Sequence, residues 1–128
     1  ANQLGNLVSR VAAMAQKYFA GALDSVSLDW SAREQSLNDA MEHYDFKSYL
    51  DQVFAVVAEA NDLVDKKSPF KLVKTDEAAA KAVLSQLADM IRFIGRALAP
   101  VLPQTSEEIV RRYGKVVLVG DSLFPRRD

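Results

Sequence analysis

Apolar residues recur three and four positions apart over most of this chain, and the strict alternation of a half-buried strand is nearly absent. Leu4, Leu7, Val8, Val11, Met14, Ala15, Tyr18 and Phe19 predict a first helix from about Asn2 to Phe19 with one buried face, and Gly21 allows its exit. Ser31 followed by Glu34 fits a capping box for a second helix of about Ala32 to Glu42, with Trp30 placed to staple it into the core. Asp45 suits the N-cap of a longer third helix, whose face of Phe46, Tyr49, Leu50, Val53, Phe54, Val57, Ala60 and Val64 runs until Lys66, where Pro69 ends it. Thr75 is expected to cap a fourth helix that reaches Pro100, with Asp76 and Glu77 at the positive end of its dipole. Thr105 and Glu108 form a further capping box for a short fifth helix ending near Tyr113 and Gly114. From Lys115 onward the chain reads as a tail, and Lys115–Val119 is a strand candidate too isolated to build a sheet.

Four to five amphipathic helices on short turns imply an all-α helical bundle with an irregular C-terminal tail. With no repeat and no linker, the 128 residues fit one domain, 1–128. The net charge of −1 argues against a chain that grips nucleic acid mainly by bulk electrostatics, so any such contact has to be local. The absence of cysteine removes disulfides and thiolate metal sites, and a lone histidine, His43, leaves no histidine-rich metal site. No apolar run approaches the roughly 20 residues that span a bilayer, so the default expectation is a cytoplasmic protein that does not engage a membrane. The first helix has no N-cap of its own and the chain has no initiating methionine, which suggests a piece of a longer protein.

Little here looks catalytic. There is no Gly-rich phosphate loop and no metal-ligand spacing, and His43 beside Tyr44 and Asp45 reads as a surface or capping histidine. Glu107 and Glu108 lie at a helix start, where negative charge is expected anyway. No catalytic residue, metal or cofactor is assigned to this chain.

Recognition is what the remaining pattern offers. Asn2, Asn6 and Arg10 recur every four residues and form one polar ridge on the first helix. Ser68-Pro69-Phe70 sets an aromatic ring on a rigid corner between a helix ending Asp65-Lys66-Lys67 and one opening at Thr75-Asp76-Glu77. Amides and a guanidinium can hydrogen-bond the edge of an unstacked base while an aromatic ring supplies a stacking face, which is what single-stranded loop RNA requires. The bland alternatives stay open: a solvated helix face for the ridge, and an apolar plug for Phe70. Lys66, Lys67, Lys71 and Lys74 crowd the corner, either as phosphate contacts that position RNA or as a solvated lysine-rich turn.

These segments together resemble the helical anticodon-binding domain of methionyl-tRNA synthetases. The resemblance rests on Leu4-Gly5-Asn6-Leu7-Val8-Ser9-Arg10, on Asn61 to Asp65 followed by Pro69-Phe70, on Pro100-Val101-Leu102-Pro103, and on the closing Leu123-Phe124-Pro125-Arg126. It implies that the first helix and the Pro-aromatic corner hold the methionine anticodon CAU, chiefly its first base. Asn6 and Arg10 match the positions that hydrogen-bond that cytosine, Asn2 a flanking contact, and Pro69-Phe70 the stacking corner. Phe70 stands where the family usually has tryptophan, which keeps a stacking face but loses the indole N–H donor. The resemblance further implies a parent methionine-tRNA ligase with a catalytic domain upstream that uses ATP and magnesium to attach methionine to tRNA, and a fragment that is inactive alone.

Two other readings share the bundle. An anticodon-binding domain of another class I synthetase should lack the combination of Asn6 and Arg10 with Pro69 and Phe70. A helical protein-interaction module would instead use Phe70 and Trp30 as exposed anchors.

Overall fold

The structure, a computed structural model, describes residues 2–120, without the side chain of Asn2. The closing segment Leu123-Phe124-Pro125-Arg126 therefore lies outside the described residues, as does the contact expected of Asn2. The chain forms α1 (Asn2–Phe19), α2 (Ser31–Glu42), α3 (Phe46–Lys67), α4 (Pro69–Leu72), α5 (Glu77–Ala97) and α6 (Pro103–Arg112). This is the all-α bundle that the periodicity predicts, with a single-turn helix, α4, added at the Pro69 corner.

α5 is the central element, packing against α1, α3, α4 and α6, while α1 and α2 each lie on α3. Its stripe of Leu84, Leu87, Ile91, Ile94 and Leu98 is fully buried. From α1, the side chains of Leu4, Leu7, Val8 and Val11 are equally inaccessible. Each is worth about 1.5–3 kcal/mol on burial, against about 1 kcal/mol for a typical cap. Packing, not end chemistry, therefore holds α1 in place.

Three helix starts differ from the expected capping. Ser31 is the first residue of α2 rather than its cap, and Trp30 occupies the cap position without a side-chain bond. The reason is Asp29, whose carboxylate accepts from both the backbone N–H and the hydroxyl of Ser31, at 3.0 and 2.6 Å. At α5 the cap is Asp76, which accepts from the Ala79 N–H at 3.0 Å, whereas the Thr75 hydroxyl turns back to the Leu72 carbonyl. α6 begins two residues before Thr105, because Pro103 carries a helical φ and has no N–H to satisfy. Glu108 is then free to accept from the side chains of Arg111 and Arg112. α5 stops at Ala97, short of Pro100.

Trp30 does anchor the start of α2. Its ring stacks on Phe93 of α5, with centroids 4.3 Å apart and planes 12° from parallel, and its indole N–H donates to the Asp89 carboxylate at 3.0 Å. The tail packs back onto the bundle through Val117, which is fully buried. Its N–H donates to the Gly21 carbonyl at 2.9 Å and its own carbonyl accepts from the Gln16 amide at 3.0 Å. Gly21 sits at φ +80°, and a Cβ there would lie 2.5 Å from the Val117 carbonyl oxygen, so this close approach requires glycine.

Candidate nucleic-acid interface

The corner after α3 is built by one residue in an uncommon conformation. Ser68 adopts φ 42° and ψ 68°, the left-handed region that ends helices. Its N–H closes on the Val64 carbonyl at 2.9 Å and its hydroxyl donates to the Asp65 carbonyl at 3.1 Å. The Ser68 carbonyl in turn accepts from the N–H groups of Lys71 and Leu72, which starts α4. Pro69 is the first residue of that turn, where its missing N–H costs nothing, and it is buried. The helix thus ends at Ser68, Pro69 goes inward and Phe70 is left 44% exposed.

α1 meets this corner along its polar ridge. The Arg10 guanidinium lies 3.5 Å from the Asp65 carboxylate in the last turn of α3. One helical turn earlier, the Asn61 amide donates to the Gln3 carbonyl at 3.3 Å and to the Val57 carbonyl at 3.2 Å. Asn61 and Asp65 are four residues apart on α3, so one face of that helix holds both the backbone and the charged ridge of α1. Asn6 is exposed between these two ties. Of the expected site residues, Arg10 is thus tied to the last turn of α3, the helix that leads through Ser68 into Pro69 and Phe70.

The four lysines differ in how committed they are. Lys66 is paired with Asp62 at 2.9 Å, one turn back on α3. Lys71 rests its ammonium 5.7 Å from the centroid of the Phe70 ring. Lys67 and Lys74 are exposed with no carboxylate partner among the described residues. Three of the four charges are accordingly available around an exposed aromatic face. Periodicity alone missed the roles of Asp65 and Asn61. The spacing that marks them is visible in the sequence, but a partner 55 or more residues away is not.

Elsewhere among the described residues the surface offers no comparable combination. A cleft of about 780 Å³ opens between the α1–α2 connection and α5, where Arg92, Arg96 and Lys115 face Asp24 and Asp89. Arg92 there donates to the carbonyls of Tyr113 and Gly114, and Asp89 accepts from Leu28 and Trp30, so these groups serve the fold. His43 is exposed at the end of α2, its Nδ1 2.8 Å from the Asp39 carbonyl. Among the described residues no cluster of three or more His, Cys, Asp or Glu side chains is placed to hold a metal ion. No helix among the described residues is long and apolar enough to cross a membrane.

Residues 16–118 match the family described as the anticodon binding domain of methionyl tRNA ligase, a span that includes the Pro69-Phe70 corner and begins after Arg10. The methionine–tRNA ligase of Clostridium acetobutylicum is 30% identical over 158 aligned positions, covering 100% of this chain and 24% of that protein. That of Streptomyces coelicolor is 34% identical and covers 85% of this chain and 23% of its own length. That of Caldanaerobacter subterraneus is 32% identical, with 89% and 20% covered. The chain spans about a quarter or less of the length of these relatives. With four-fifths of its residues inside the family match, the chain belongs to the anticodon-binding domains of methionyl tRNA ligases.

Proposed function

We propose that this chain acts as one domain that selects tRNA through the anticodon CAU. In this reading Asn6 and Arg10 hydrogen-bond the edge of the first anticodon base, Asn2 makes a flanking contact one turn earlier, and Phe70 stacks on the base from its seat on Pro69. Lys67, Lys71 and Lys74, with Lys66 once released from Asp62, contact loop or stem phosphates and fix the register without reading sequence. The observation that carries the reading is the contact between Arg10 and Asp65, which brings the α1 ridge to the foot of the Phe70 corner.

The remainder of the parent chain supplies the chemistry. Its catalytic domain activates methionine with ATP and magnesium and transfers it to tRNA, and this chain, which contributes no reacting group, is inactive alone. A phenylalanine in place of an indole offers a smaller face and no N–H donor, so base selection falls more heavily on Asn6 and Arg10.

Binding to an anticodon stem-loop bearing CAU, compared with the same stem-loop altered at the first anticodon base, tests the reading. Preference for CAU that disappears in Arg10→Ala and in Phe70→Ala is the expected result. Equal binding of the two loops by the unaltered chain would overturn it.

A further inference from the structure

We propose that the exposed face of α1 beyond Arg10, from Ser9 through Ala13 to Lys17, is a track for the RNA backbone, with Lys17 as a phosphate contact at its far end. The inference rests on the anticodon reading and extends it from the loop bases to the strand that leads away from them.

Charge composition is the first observation. α1 contains no Asp or Glu in 18 residues, whereas α2 has Glu34, Asp39 and Glu42 within 12. The only other helix without a carboxylate is α4, which carries Phe70. In a chain with 17 acidic residues, α1 and α4 present no carboxylate of their own to an approaching phosphate, and Asp65 of α3 meets α1 at Arg10, two turns before Lys17.

Geometry gives the direction. At 3.6 residues per turn, Asn6, Arg10, Ala13 and Lys17 fall within a narrow sector of α1, and all four are exposed. Ser9 and Ala13 are small, so a sugar-phosphate strand can lie close to the helix between the larger side chains. Arg10 and Lys17 are about 10.5 Å apart along the axis at ~1.5 Å per residue. At roughly 3.4 Å of rise per stacked nucleotide, that distance is about three nucleotides, which reaches from an anticodon base toward the stem.

Lys17 is free to take up a phosphate. Among the described residues its ammonium has no carboxylate partner and rests 5.4 Å from the centroid of the Tyr18 ring. Asp24, the nearest acidic residue in sequence, is engaged instead by Lys81 at 3.7 Å.

The test compares the unaltered chain with Lys17→Ala, Lys17→Arg and Ala13→Glu, all on the exposed face of α1. Each is titrated with a CAU stem-loop and with a CAU-containing single strand too short to form the stem, over a range of salt. The expected result is that Lys17→Ala weakens stem-loop binding several-fold and lowers the log–log salt slope by roughly 0.7–0.9, the value of one phosphate contact. Lys17→Arg restores the slope, Ala13→Glu weakens binding further, and the short strand and the preference for CAU are unaffected. An unchanged slope in Lys17→Ala, with CAU preference intact, overturns the track and leaves the base reading standing. Loss of slope without any CAU preference in the unaltered chain keeps the track and overturns the base reading. Failure of the unaltered chain to bind either RNA at low salt overturns both.

Discussion

The guanidinium of Arg10 reaches the carboxylate of Asp65 across 3.5 Å, tying the middle of α1 to the last turn of α3 while the two side chains stay 45% and 71% exposed. A pair so open to water contributes between about 0 and 1 kcal/mol to stability, so its consequence is where it holds the guanidinium. Asp65 also sets a negative charge beside the groups proposed to meet phosphate. Asp65→Asn is expected to leave the thermal midpoint within a degree or two of the parent and to tighten RNA binding to loops of any sequence several-fold. Weaker binding in that variant would mean that Asp65 aims Arg10 at the base and does not compete for it.

Phe70 is 44% exposed on the corner, with Lys71 over its ring, so its removal takes little packing from the core. Stacking one base on an aromatic face is worth about 1–3 kcal/mol. Phe70→Ala should therefore weaken binding of the CAU stem-loop by roughly 5- to 150-fold with near-parental urea unfolding. Phe70→Trp, with a larger face and an N–H donor, is expected to bind more tightly than the parent.

At Gly95, α5 comes close to Ile109 of α6. A Cβ there would lie 2.7 Å from Cγ2 and 3.2 Å from Cβ of Ile109, a fully buried β-branched residue with no room to turn away. Alanine gains about 0.5–1 kcal/mol in helix propensity over glycine, while overpacking a rigid core costs about 1–3 kcal/mol. Gly95→Ala should thus be destabilising by about 1–2 kcal/mol net, read as a lower urea midpoint at an unchanged slope.

Burial holds the Tyr113 phenol protonated well above the usual tyrosine range, and its hydroxyl donates to the Val8 carbonyl. The unfolded phenol ionises near pH 10, so above that pH the unfolded state binds fewer protons than the folded one. The resulting contribution is complete below about pH 10 and falls by about 1.4 kcal/mol per pH unit above it. Urea unfolding at pH 8 and pH 10.5 checks this. Tyr113→Phe should lose about 1 kcal/mol at pH 8 with the hydrogen bond, and its stability should fall less steeply on the alkaline side. Tyr49, raised by burial in the same direction, supplies the slope that persists.

Long elements were legible in the sequence because their signal is summed over many residues. α1 and α3 run within a residue of the bounds their apolar stripes and flanking residues predict, and Asp45 caps α3 through the Ser48 N–H as its position implies. Caps elsewhere were misread because they turn on which single residue leaves helical geometry, and Ser31, Thr75 and Thr105 each have a competitor within two positions. α4 was not legible, since four residues carry no period and Pro69 reads equally as an ending or a beginning. At the candidate interface, Asn6, Arg10 and Phe70 stood out by residue type and spacing. Asn61 and Asp65, which bring the two halves together, make their contacts across more than fifty residues of chain.

The docking of Val117 against Gly21 reaches beyond the tail itself. α1 is pinned near its first turn by Asn61, at its middle by the Tyr113 hydroxyl and at its far end by the pairing of Gln16 with Val117. A rod held at three points cannot pivot, so the aim of Arg10 is set partly by residues more than a hundred positions downstream. Loosening that distant clamp would act as a lever on the proposed base selection, turning the ridge away from the corner while every residue proposed to touch RNA keeps its identity.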